Sequence, residues 1–217
     1  MRAGRRLYVS EHQMIPKEYR TSRIDALQQI LNTLGGDLSA LAGLHPDDLH
    51  LIGAYIQRFN FIELNVRRSI EVFARIKMLD ASIARRHHKL PSSQLVPTLK
   101  SAVARLDPRV EDIGDSQEKL DEIEFRRGIR NLLAHWAAKR LPGEDAIVLM
   151  SKDGRDERQI SGDDAYQPDY VRTAILDLAD VRGLLEHIGN YETWIAFKAS
   201  EWHARYLGSF EQPPHPP

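Results

Sequence analysis

Apolar residues recur at helical spacing along most of this chain. Ile24, Leu27, Ile30, Leu31 and Leu34 form the first stripe, with Thr21 or Ser22 placed to cap it and Gly35-Gly36 to end it. Pro46 suits a first helical turn, and Asp47 and Asp48 beside it suit the positive end of the helix dipole. The stripe Leu49, Ile52, Ile56, Phe59, Ile62, Val66, Ile70 and Phe73 then predicts a long helix from about Asp47 to Arg85. The stretch from Pro91 to Pro97 interrupts it, a shorter helix follows from Thr98 to Leu106, and Asp107-Pro108 interrupts again. The next long helix runs from about Asp115 to Arg140, where Leu141-Pro142-Gly143 stops it.

Beyond that stop the pattern changes. Ala146 to Met150 is apolar, Asp153-Gly154 is a hairpin-turn dipeptide, and a second short strand extends to Ile160. Val171 to Leu176 is a third extended piece, before a final helix from about Leu178 to Tyr206 that offers Leu184, Leu185, Ile188, Tyr191, Ile195 and Trp202 for packing. The expected fold is mainly α, with a β-hairpin or three-stranded insertion at about 144–176 ahead of the C-terminal helix. Residues 21–206 read as one domain, with an irregular segment at 1–20 and a proline-rich tail at 207–217.

Composition narrows the function. A 42% hydrophobic and 28% charged content is that of a folding globular chain. With a net charge of −1 the protein as a whole does not attract nucleic acid, so an RNA partner needs a local cationic patch. The absence of cysteine rules out disulfides, thiolate nucleophiles and sulfur-based zinc sites. Neither an h-region after the basic first ten residues nor an apolar run near the roughly 20 residues of a membrane span occurs, so a cytoplasmic protein is expected. HExxH, a glycine-rich phosphate loop and a nucleophile elbow are all missing, which leaves no expected metal or cofactor.

Chemistry concentrates in the helix that precedes the insertion. It reads Arg126-Arg127-Gly128-Ile129-Arg130-Asn131-Leu132-Leu133-Ala134-His135-Trp136. At about 100° per residue, Phe125, Ile129, Leu132, Leu133 and Trp136 share an apolar arc, and Arg130, Asn131 and His135 fall on the opposite one. Asn131 and His135, four apart, stand one above the other, so the amide is placed to orient the imidazole. Ala134 and Ala138 lie between the polar groups and leave room for another helix, most simply from a second copy of the chain.

Arg130-Asn131-Leu132-Leu133-Ala134-His135 resembles the hallmark of the HEPN superfamily, an arginine followed after four to six residues by a histidine, usually with a polar residue directly after the arginine. The resemblance implies an HEPN-like helical bundle, a homodimer whose two motifs meet at the interface, and metal-independent endoribonuclease activity of a toxin or antiviral-defence effector. It also leaves room for an antitoxin or defence partner. The alternative within the same superfamily is a non-catalytic module that binds nucleotide or RNA, or that dimerises. One departure is Ala137, which stands where some toxin-type members carry a tyrosine.

These residues suit RNA cleavage, because RNA supplies its own 2′-hydroxyl nucleophile and needs only a proton acceptor, a proton donor and a cation on the phosphate. His135 would move protons, Arg130 would grip the phosphate bidentately, and Asn131 would orient His135 or bond the phosphate. Arg127 would extend the cationic surface. Glu63 is a carboxylate inside the angular range of the long helix's apolar stripe. The resemblance implies a polar residue on this neighbouring helix that supports the motif, so Glu63 would pair with Arg130 or Arg127, or else with Arg67 four residues on. Arg182 and His187 repeat the arginine–histidine spacing, but Gly183 and Glu186 between them make a poorer phosphate cradle. His87-His88 beside Arg85-Arg86 reads as the charged end of a helix.

Overall fold

A computed structural model of the chain describes residues 23–35, 37–151 and 171–208. In chain order the elements are α1 (Ile24–Thr33), α2 (Pro46–Arg75), α3 (Ala81–Ala84), α4 (Ser92–Val103), α5 (Ile113–His135), β1 (Ala137–Arg140), β2 (Ala146–Ser151), β3 (Arg172–Asp177) and α6 (Leu178–Leu207). The protein is mainly helical, with a small antiparallel sheet of order β1-β2-β3 before the C-terminal helix. Two compact units are present. Unit 1 comprises Met1–Ile56 and Gly128–Glu186, and unit 2 comprises Gln57–Arg127 and His187–Pro217.

Unit 1 is built around β2, which pairs β1 from Ala137↔Met150 to Arg140↔Ile147 and β3 from Ala146↔Asp177 to Ser151↔Arg172. Leu141, Ala146, Val148 and Ile175 join Leu27 and Leu31 of α1 and Leu41 in one hydrophobic cluster. Pro142-Gly143 makes the hairpin turn: the Glu144 N–H donates to the Leu141 carbonyl at 3.1 Å, and Gly143 has φ +77°, which only glycine adopts without strain. The expected Asp153-Gly154 turn and the strand to Ile160 lie outside the described residues, as do Thr21, Ser22, Gly36 and residues 1–20 and 209–217. β2 starts at the residue expected for the first extended piece, Ala146, and β3 within one residue of the third.

Four expectations need correction. The helix through the motif ends at His135 rather than Arg140, because Ala137–Arg140 pairs with β2 and Arg140 exchanges backbone hydrogen bonds with Ala42 at 2.9 and 3.0 Å. Sheet pairing thereby overrides the helix propensity of Ala-Ala-Lys-Arg. The long helix α2 ends at Arg75 rather than Arg85: Met78 N–H bonds the Phe73 carbonyl and Lys77 N–H the Ala74 carbonyl, with Lys77 at φ +61°, a Schellman stop made without glycine. Helix α4 starts at Ser92 and runs through Pro97, since Leu95, Val96, Leu99, Ala102 and Val103 bury a face that offsets the lost backbone bond. The first half of the α2 stripe is also shifted, with Leu51 and Tyr55 buried while Leu49 is 58% exposed.

Unit 2 has its own core, including Phe59, Ile62, Phe73, Leu99, Leu120 and Trp202. The Phe73 and Trp202 rings lie 5.2 Å apart, tilted by 55°, a favourable aromatic geometry. Its interior also holds Glu111, whose Oε1 accepts from the Ser116 hydroxyl at 2.7 Å and whose Oε2 accepts from the Trp202 indole at 3.0 Å. Lys198 lies 3.0 Å from the same carboxylate. Burial pushes the Glu111 carboxyl up, but the Ser116, Trp202 and Lys198 donors outweigh it and hold it below the usual range.

Candidate functional site

Ile129, Leu132 and Leu133 are buried and fix the inner face of the last turns of α5 in unit 1. Their neighbours on the helix therefore turn outward. Ala134 and His135 are exposed, and Arg130 and Asn131 are half-buried. Arg130 Nη1 donates to Asn131 Oδ1 at 3.3 Å, so guanidinium and amide form one joined polar group, with the imidazole beyond it on the final helical residue. His135 makes no hydrogen bond to a described residue. The amide that was expected to orient it bonds Arg130 instead. Phe125, assigned from the sequence to the apolar arc, is 49% exposed, with the Arg126 guanidinium 4.7 Å above its ring.

The two supporting residues belong to unit 2, where each has its own partner. Arg127 pairs with Glu124, three residues earlier, its Nε donating to Oε2 at 3.1 Å. Glu63 accepts from the Ser92 hydroxyl at 3.1 Å, and Arg67 donates to the Leu90 carbonyl at 3.1 Å. Both side chains thus hold the start of α4, where the Glu63 carboxylate faces the positive end of the helix dipole and where Pro91 provides no side-chain cap. The alternative Glu63–Arg67 salt bridge is not made. Glu63 Oε1 is buried and has no hydrogen-bond partner among the described residues.

The second arginine–histidine pair is divided between the units, and carboxylates occupy both of its members. In unit 1, Arg182 donates to Asp145 Oδ2 at 2.7 Å. In unit 2, His187 Nε2 lies 2.7 Å from Glu122 Oε1, the oxygen that also accepts from Arg126 Nε at 2.6 Å. Burial raises the Glu122 carboxyl, yet the His187 and Arg126 hydrogen bonds outweigh it and leave it below the ordinary range.

The sequence reading missed the ion network that anchors the strand after His135. Arg140 Nη1 donates to Asp48 Oδ1 at 2.6 Å and Nη2 to Asp145 Oδ1 at 3.0 Å. Asp48, 2% exposed, also takes the His45 N–H at 2.8 Å, half of a capping box at the start of α2. Burial pulls the Arg140 guanidinium down, and the Asp48 and Asp145 bonds more than reverse this. Asp145 is held low by its bond from Arg182, against burial, with Arg140 adding to the effect. Asp48 lies 92 residues from Arg140, and Arg182 lies 37 from Asp145, so no local spacing could have revealed these two links. Asp177 caps α6 by accepting from the Ala179 N–H at 2.9 Å.

Fold and site together define a mainly helical protein with a three-stranded antiparallel sheet, carrying an arginine–asparagine–histidine surface where a helix hands over to that sheet. Comparison with protein-family models, curated proteins and solved structures finds no match for this chain. No described helix is long and apolar enough to cross a membrane.

Proposed function

We propose that this is a cytoplasmic HEPN-type endoribonuclease, acting without a metal as a toxin or antiviral-defence effector from a composite site in a homodimer. The observation that carries the reading is the exposed His135 on the last turn of α5, on the same helix end as the bonded Arg130–Asn131 pair. A histidine kept for packing would be buried and bonded; this one meets solvent.

In the reaction, the imidazole of one His135 takes the proton of the RNA 2′-hydroxyl, whose oxygen attacks the adjacent phosphorus. The bond to the 5′-oxygen breaks, and that oxygen receives a proton from His135 of the second copy. Arg130 neutralises the charge that develops on the phosphate, and Asn131 holds the guanidinium in place. The products are a 2′,3′-cyclic phosphate and a 5′-hydroxyl. A non-catalytic HEPN module that binds RNA or nucleotide is the second reading, favoured by the lack of an orienting partner for His135 among the described residues.

The deciding experiment is RNA cleavage in EDTA by the wild type, His135→Ala and Arg130→Ala. Loss of about 10²–10⁴-fold in rate in both variants, with cyclic-phosphate ends, supports the nuclease. Equal cleavage by all three preparations refutes it. RNA binding that requires Arg130, without cleavage by any preparation, establishes the second reading.

A further inference from the structure

Outside the motif, the C-terminal half of α2 and the end of α6 enclose a cleft of about 180 Å³ in unit 2, lined by Arg68, Glu71, Val72, Arg75, His203 and Leu207. Arg68 and Arg75 are seven apart on α2 and so face the same way, with the buried Val72 as the floor between them. Both guanidinium groups are held by neighbours on their own helix. Arg68 Nη1 donates to Asn65 Oδ1 at 2.9 Å, and Arg75 Nη2 pairs with Glu71. Each bond uses one of a guanidinium's five N–H donors and fixes the direction of the rest. Two guanidinium groups against a single carboxylate, already engaged by Arg75, give the cleft a positive balance.

We propose that this cleft binds a phosphate group. Its volume is below the roughly 300–1,000 Å³ of pockets that enclose whole organic ligands, but it admits a tetrahedral oxyanion whose remainder projects into solvent. Arginine forks match phosphate oxygens in geometry and charge, the His203 ring lines the opposite wall, and Leu207 gives an apolar rim for a sugar. The same chemistry serves a free phosphate ion and the phosphate of a nucleotide. It stands apart from the cleavage reaction, since it uses none of the motif residues.

The test is calorimetric titration of the full chain with inorganic phosphate and, separately, with adenosine 5′-monophosphate. The double variant Arg68→Gln/Arg75→Gln is compared with Arg86→Gln, an exposed arginine of unit 2 outside the cleft. Saturable binding that weakens about tenfold or more in the double variant, and is unchanged in Arg86→Gln, is the expected result. Tighter binding of the nucleotide than of phosphate, with the same arginine dependence, identifies a nucleotide site; equal binding identifies a free-ion site. The proposal is overturned if neither titrant saturates, or if Arg86→Gln weakens binding as much as the double variant.

Discussion

The two units treat charge in opposite ways. In unit 2 the buried Glu111 is closed off: it is 3% exposed and satisfied by a hydroxyl, an indole and an ammonium, so its lone pairs are committed to structure. In unit 1 the ion network of Asp48, Arg140 and Asp145 secures the strand after α5, while His135 two residues before that strand faces solvent. Saturated polar groups stabilise; a solvent-facing group beside an anchored strand is available for chemistry. The comparison breaks most directly at Glu111. Glu111→Ala should leave Lys198 and the Trp202 indole without their buried partner, costing about 3–5 kcal/mol in urea unfolding. His135→Ala, on an exposed helix end, should stay within about 0.5 kcal/mol of wild type in the same assay.

Arg140→Ala is the matching break in unit 1. It should cost about 1–3 kcal/mol, since Asp48 is left buried with one of its oxygens unbonded. Amide exchange at Ala42 and at residue 140 should quicken together, because the backbone bridge between them loses its side-chain anchor. Unchanged exchange at both amides would show that the sheet pairing holds this segment without the ion network.

Acid should sharpen the contrast further. Glu111 and Glu122 have folded-state carboxyls held below the ordinary glutamate value of about 4.5, so near and below that pH the unfolded chain binds more protons than the folded one. Stability from these groups is therefore complete above their unfolded value and falls as pH drops through their folded values. Asp145, lowered from 3.8, follows the same sign at lower pH, and its 39% exposed side chain makes its share smaller through solvent screening. Urea midpoints should hold steady above about pH 5 and decline below it, with a shallower decline in Glu111→Gln. An equal decline in that variant would remove Glu111 as a source of the acid sensitivity.

Local signals explain how much of this was legible in the sequence. The apolar spacing placed α1, α5 and α6, and Pro142-Gly143 marked a stop that the structure turns into a hairpin. The polar face of Arg130, Asn131 and His135 followed from helical angles and from the buried Ile129, Leu132 and Leu133 opposite. What failed was non-local. Nothing in Ala137–Arg140 announces a strand, because its pairing depends on Ala146–Ser151 and on Ala42. Glu63 stood out as a carboxylate in an apolar stripe, but its partner Ser92 lies 29 residues away, beyond the reach of helical spacing.

Two helix ends carry the same comparison to its smallest scale. In unit 1, α5 stops because strand pairing takes over after His135, a cause distributed over the sheet. In unit 2, α2 stops through its own last residues, with Lys77 in the left-handed region at φ +61° and the two reversed hydrogen bonds of a Schellman motif. A β-carbon in that region is strained by roughly 1–2 kcal/mol, whereas glycine is not, although glycine also adds freedom to the unfolded chain. Lys77→Gly should therefore raise stability by about 0.5–1 kcal/mol, read as a higher urea midpoint with an unchanged slope. A lower midpoint would mean that the lysine side chain contributes more at this turn than its backbone strain costs, and that the α2 stop, like that of α5, is held from outside the helix.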